Sequence, residues 1–265
     1  MHLLLQKPNH WLRMRRILFI CIFLAGSHAY AQQTDSTKQP YHVSGLINIT
    51  NNGISTIPTF SLGKPAAIFN LSMGQKRLTF EPEFRASLEG KPWMLLLWWR
   101  YQIPKTHNFA MRFGAHPALN FKTTTLNVNG VAKEVILTRR YLAYELAPNY
   151  YLSKNWTVGI YYLFSHGYEK DAIKNMNYLT FNTAINNIHL SSQYTLRFNP
   201  QFYYLHLDKE EGTFLTETVA ISKKNCPWSL ASIINKRIHA NVTGSKNLVW
   251  NMTLIYAFHK NYIQQ

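Results

Sequence analysis

Beyond its first 25 residues the chain lacks any apolar run long enough for a membrane helix. A helical span takes about 20 consecutive apolar residues. The longest stretch here, 93–99, is seven residues and stops at Arg100. Helical spans are therefore excluded. Cysteine is nearly absent, with only Cys21 and Cys226. Once a leader holding Cys21 is removed, no intrachain disulfide is possible. Metal-ligand spacing is absent too. The eleven histidines are scattered, with no HxH, HxxxH or Cys-His pattern, so no metal site is expected. No Walker, dinucleotide or other glycine-rich phosphate loop occurs, and no cofactor is expected. Acid is scarce, with 12 acidic against 28 basic residues.

The N-terminus reads as an address. Lys7, Arg13, Arg15 and Arg16 precede an apolar run over 17–25, and Ala29-Tyr30-Ala31 has the small-x-small pattern of a cleavage site. That order marks a secretory signal peptide over 1–31. Residues 32–40 are polar and read as a flexible lead-in, with one domain over 41–265. Four basic residues leave with the leader, so 24 remain against 12 acidic ones. An exported basic chain points to anionic headgroups or acidic solutes, with nucleic acid not expected.

What is present is alternation. Over 77–88, Leu78, Phe80, Pro82, Phe84, Ala86 and Leu88 share one face, and Arg77, Thr79, Glu81, Glu83, Arg85 and Ser87 share the other. Over 193–204, Tyr194, Leu196, Phe198, Pro200 and Phe202 oppose Gln193, Thr195, Arg197, Asn199 and Gln201. Period 2 over such lengths predicts long strands with one apolar and one polar face. Soluble strands average about 5–6 residues, whereas membrane-barrel strands need about 9–11. Twelve strands are expected, at 41–50, 66–73, 77–88, 93–103, 108–120, 135–151, 155–166, 176–190, 193–207, 212–222, 227–236 and 247–259. Alternate connections are short (74–76, 104–107, 152–154, 191–192, 223–226), and the others are mostly longer. Short periplasmic turns and longer outer loops are the pattern of a transmembrane, antiparallel, up-and-down β-barrel. Lipid tolerates no open sheet edge, so such a sheet must close. Pro82, Pro117, Pro148 and Pro200 recur at similar places on the apolar faces and are expected to mark bulges.

The polar faces would line the interior. Arg77, Glu81, Glu83, Arg85, Arg112, His116, Arg139, Glu145, Arg197 and Gln201 are the candidate lumen residues. They suggest a constriction selecting small anionic or zwitterionic solutes, or else a salt-bridged plug. Paired carboxylates at Glu81 and Glu83 invite an acid–base reading, but flanking arginines keep both ionised. Ser165 and His166 at the outer rim are the only catalytic candidates. Adjacent strand residues point to opposite faces, which argues against a hydrogen-bonded pair. Trp93, Trp98, Trp99, Tyr101, Tyr150, Tyr151, Trp156, Trp228, Trp250 and Tyr256 suit interfacial girdles, although Trp98 and Trp99 must face opposite ways.

The leader, the alternating strands, the turn parity and the final segment with Leu248, Trp250, Met252, Leu254, Tyr256 and Phe258 resemble a bacterial outer-membrane β-barrel. That resemblance implies outer-membrane localisation, contact with outer-membrane lipids and lipopolysaccharide, and assembly by the barrel-assembly machinery. Members usually end on an aromatic residue; here Tyr262-Ile263-Gln264-Gln265 follow. The expected function is a monomeric narrow pore or structural surface protein with a charged Arg/Glu lumen. Two alternatives stand beside it: a lipid-modifying hydrolase at the rim, and a soluble exported β-sandwich that binds a ligand.

Overall fold

The computed structural model describes residues 41–128 and 131–262; the expected leader and lead-in lie outside them. Thirteen strands form one sheet: β1 (Tyr41–Thr50), β2 (Ala66–Gln75), β3 (Leu78–Ser87), β4 (Pro92–Gln102), β5 (Phe109–Val128), β6 (Val131–Tyr151), β7 (Trp156–Gly167), β8 (Asn175–His189), β9 (Tyr194–Leu207), β10 (Glu210–Lys223), β11 (Trp228–Ala240), β12 (Leu248–Trp250) and β13 (Thr253–Tyr262). Each strand pairs antiparallel with the next, except that β11 pairs with both β12 and β13. Pairing of β13 with β1 closes the ring. The pieces β12 and β13 are one barrel position interrupted at Asn251-Met252, so the barrel has twelve positions. At the interruption the Asn251 side chain accepts from the Ile233 amide at 2.8 Å, replacing a ladder bond. A single closed sheet excludes the two-sheet soluble sandwich.

The faces divide as the pleat requires. On the convex side lie Phe69, Leu78, Phe84, Phe113, Ile160, Phe181, Phe202, Leu215 and Leu230, all exposed. An apolar surface that encircles the molecule has no place in water and fits hydrocarbon. Exposed Tyr41, Tyr101, Phe109, Tyr150, Trp156, Tyr194 and Trp228 sit at the strand ends nearest the chain termini, where an interfacial girdle belongs. Trp99 is exposed and Trp98 buried, as opposite faces demand. Trp93 and Trp98 are therefore interior residues, not girdle members. This is an outer-membrane β-barrel, with the short-turn end periplasmic.

The strand expectations need three corrections. Residues 121–134 are not a loop: β5 and β6 run on as a hairpin pairing up to Val128–Val131. The β-branched run Thr123-Thr124-Thr125 favours that extension, and Asn129-Gly130 is a hairpin-turn dipeptide lying outside the described residues. The hairpin outreaches its neighbours, because β4 pairing stops at Asn120 and β7 pairing at Tyr141. Likewise, 237–246 is partly strand, because β11 continues to Ala240.

The prolines give the third correction. No register shift occurs at Pro82, Pro117, Pro148 or Pro200. Each instead faces a two-residue gap in pairing with one neighbour, after which the same register resumes. At Pro200 the β8–β9 pairs skip from Asn182–Gln201 to Ile185–Phe198. The missing N–H accounts for the gap without an inserted residue. Asn199 Nδ2 donates to the Thr183 carbonyl there at 2.5 Å, filling part of the vacated ladder.

Candidate functional site: a layered lumen

The lumen is built in layers. Toward the outer mouth, the connection 51–65 folds inward and buries Ile54, Ile57 and Phe60. Pro58–Phe60 form a 3-10 turn that carries Phe60 to the Tyr141 ring, at 5.4 Å edge-on. Trp93 Nε1 donates to the Phe60 carbonyl at 2.8 Å. Thr59 Oγ1 donates to the Thr243 carbonyl at 2.9 Å, tying the inward loop to the β11–β12 connection. Beneath it, Tyr178, Tyr203 and Phe214 stack across β8, β9 and β10, with centroids 5.0 and 4.9 Å apart. Tyr203 accepts a 2.8 Å bond from Asn235, so its buried hydroxyl is paired. This buried cluster packs like the core of a soluble protein.

An ion-pair layer occupies the wall of β3 to β7. Glu145, whose side chain is fully buried, accepts from Arg100 Nε at 2.8 Å and Arg112 Nε at 2.8 Å. Arg100 Nη2 reaches its second oxygen at 3.2 Å, and the Tyr161 hydroxyl donates to it at 3.1 Å. Arg100 also binds Glu81, and Arg85 binds Glu83. Asn70 donates to Glu83, and Thr79 to Glu81 at 2.8 Å. Three carboxylates thus meet three guanidiniums. Trp98 lies beneath the Arg100 guanidinium at 4.0 Å and against His116 at 3.9 Å. Low dielectric strengthens each of these contacts, and none of the acids is left unpaired. Gly114 faces Glu145 from β5; an added Cβ would stand 2.7 Å from Glu145 Cγ, so glycine leaves the carboxylate its room.

Two cavities flank these layers. An outer one of about 920 Å³ is bordered by Trp93, Lys122, Arg139, Tyr141, Asp171 and Lys209 among others. A periplasmic one of about 710 Å³ is bordered by Ser44, Asn70, Ser72, Glu83, Arg100 and His259 among others. They share no lining residue.

The sequence-derived residues scatter over this geometry. Glu81, Glu83, Arg85, Arg112 and Glu145 meet in or beside the ion-pair layer, and buried His116 packs against its tryptophan. Arg77 lies outside that layer, exposed at the periplasmic turn before β3. Arg139 lies at the outer mouth, on Asp171. Arg197 and Gln201 share the interior face of β9. Gln201 donates to Asn199 at 2.7 Å, and Arg197 forms no ion pair among the described residues. Arg100 and Tyr161 were missed. Arg100 closes an apolar run with no alternation to assign its face, and Tyr161 stands among tyrosines on both faces. Ser165 is buried on the interior face, while His166 points outward at 3.2 Å from Asn175 Oδ1. No hydrogen bond joins the two.

Above the rim, two carboxylates close the 168–174 connection. Glu169 binds Arg140 Nε at 2.6 Å, and Asp171 binds Arg139 Nη2 at 2.5 Å. Hydrogen bonds from these arginines hold both acids below their ordinary range.

The sequence matches no protein-family model. It matches none of the curated proteins either. Among solved structures, the chain is similar to the KdgM porin in complex with disordered oligogalacturonate, at 10% identity and TM-score 0.51, covering 82% of this chain and 99% of that one. It is also similar to an outer-membrane channel from Pseudomonas putida F1, at 10% identity and TM-score 0.47, covering 84% and 96%. At such identities the likeness concerns fold alone.

Proposed function

We propose that this barrel is a narrow outer-membrane pore, held shut in the described state by the inward loop 51–65 and the layer around Glu145. The observation that carries the reading is the buried Glu145, shared by Arg100, Arg112 and Tyr161 between two separate cavities. A purely structural barrel of this girth is filled more cheaply by apolar side chains than by buried charges. A charged lumen selects by sign when its pairs rearrange. Arg197, without an anionic partner among the described residues, gives the periplasmic half a surplus cation. Small anionic or zwitterionic solutes fit that balance, and the KdgM structure holds oligogalacturonate in a barrel of similar fold.

Planar-bilayer conductance tests the reading. Wild type is expected to open rarely and with small conductance. Replacing 54–61 by a glycine-serine segment is expected to raise open probability. Arg85→Ala with Arg197→Ala is expected to shift the reversal potential away from anions. Unchanged conductance and selectivity in both variants would show that the barrel is a surface scaffold.

A further inference from the structure

The lipid-facing wall carries a charged pair that the lumen does not explain. Glu217 stands seven residues from one end of β10 and six from the other. It pairs with Pro200 on β9 and Ile234 on β11. Its face is the one shown by exposed Leu215 and Ile221, and the alternate residues Phe214 and Thr216 are buried inside. Its carboxylate is thus at mid-height of the apolar band; the Asn199 and Thr218 backbone amides face it, while its Oε1 is buried against the wall without a hydrogen-bond partner. One step along the same face, Lys236 pairs with Leu215 and is exposed. Lys236 forms no ion pair among the described residues. Ser232, opposite Val219, lies on the same face beyond exposed Ile234, and its hydroxyl donates to the Asn251 carbonyl at 2.7 Å. This face borders the place where the wall breaks between β12 and β13.

A charge held half-buried on the lipid side of the wall is expensive and is retained where something pairs with it. Lipid headgroups lie at the interfaces, too far from mid-band to supply a cation. The partner must bring a positive group to mid-membrane height, and this chain presents one beside Glu217. We propose that the β10–β11 face is the contact between two copies of this chain. A two-fold axis along the membrane normal sets Glu217 of each copy against Lys236 of the other, in place of the monomer the sequence suggested. Such an interface is self-complementary, as two-fold contacts must be. The proposal is independent of whether the lumen conducts.

The test uses the full chain, purified from membranes in mild detergent, with mass measured by native mass spectrometry and by cross-linking in lipid vesicles. Heat-modifiable gel mobility confirms that each variant is folded. Wild type is expected to be dimeric. Glu217→Lys alone and Lys236→Glu alone are expected to be monomeric, and the two together dimeric again. Glu217→Gln and Lys236→Gln, which avoid a new repulsive charge, are expected to weaken the dimer about tenfold or more. A monomeric wild type in both detergent and vesicles overturns the proposal. So does a dimer that survives the single reversals, or one that the double reversal fails to restore.

Discussion

Glu145→Ala is the sharpest probe of the lumen's architecture. The change removes the acceptor for Arg100 Nε and Nη2, Arg112 Nε and the Tyr161 hydroxyl. Deleting one member of a buried ion pair costs about 3–5 kcal/mol, because the other charge stays buried and unpaired. Two features here pull toward the lower figure. Arg112 is 39% exposed and regains water, so its share is discounted. Arg100 keeps Glu81. A loss of about 3 kcal/mol follows. Glu89→Ala is the control: Lys64 and Glu89 are both more than half exposed, and such pairs contribute about 0–1 kcal/mol. Urea unfolding in lipid vesicles, followed by tryptophan fluorescence, measures both. The assay is well placed, because Trp98 packs against Arg100 and loses its setting when the layer opens. If Glu145→Ala loses no more stability than Glu89→Ala, the ion-pair layer contributes nothing to holding the barrel together. The account of a shut lumen then fails with it.

Further outcomes follow from other contacts. Trp93→Phe removes the bond to the Phe60 carbonyl while keeping most of the ring, and is expected to cost about 1 kcal/mol and to raise proteolysis within 51–65; an unchanged cleavage rate would show that Trp93 does not hold the inward loop. The acids Glu169 and Asp171 have folded-state pKa values below their unfolded ones, so their contribution is present above about pH 4 and is lost as pH falls through the folded values. Hydrogen exchange over 168–174, corrected for intrinsic rate, is expected to accelerate in acid, and constant protection from pH 6 to 3 would contradict this. Gly167→Ala sets a Cβ 2.3 Å from the Ile173 carbonyl, a backbone atom, and is expected to destabilise the barrel by about 1–3 kcal/mol in the same urea assay; neutrality would mean that 168–174 shifts freely.

The barrel was legible because the pleat forces period 2 and lipid forces long strands. Residues 77–88 carry both signals without exception, and their faces follow directly. The site was less legible. Alternation assigns a side chain to the interior but not to a height, so Arg77 and Arg139 read like Arg85 although they stand at opposite mouths. Nor does it pair residues across the lumen. Arg100 reaches Glu145 two strands away, a contact set by curvature and not by sequence distance. The inward loop was hidden for a different reason. Residues 51–65 contain few apolar side chains, and only the cavity they enter makes Ile54, Ile57 and Phe60 a core. An outward loop of the same sequence would look identical in composition.

The four prolines carry the same lesson about local rules in a closed sheet. Taken alone, a proline in a strand argues for an edge or a bulge. A barrel offers no edge, and a bulge costs a register shift that would turn the residues beyond it to the other face. At Pro200 such a shift would put Tyr203 and Leu205 toward lipid and Phe202 into the lumen. Skipping two pairs loses hydrogen bonds on one side only, and Asn199 restores one of them. The loss is local, whereas a shifted register would invert every later side chain in the strand. The shifts that do occur, at Arg85/Ala86 in β3, Ile185/Ile188 in β8 and Thr213/Phe214 in β10, lie near strand ends, where few residues remain to be inverted. Selection among defects in this wall is thus governed by how much of the two-faced pattern each would spoil.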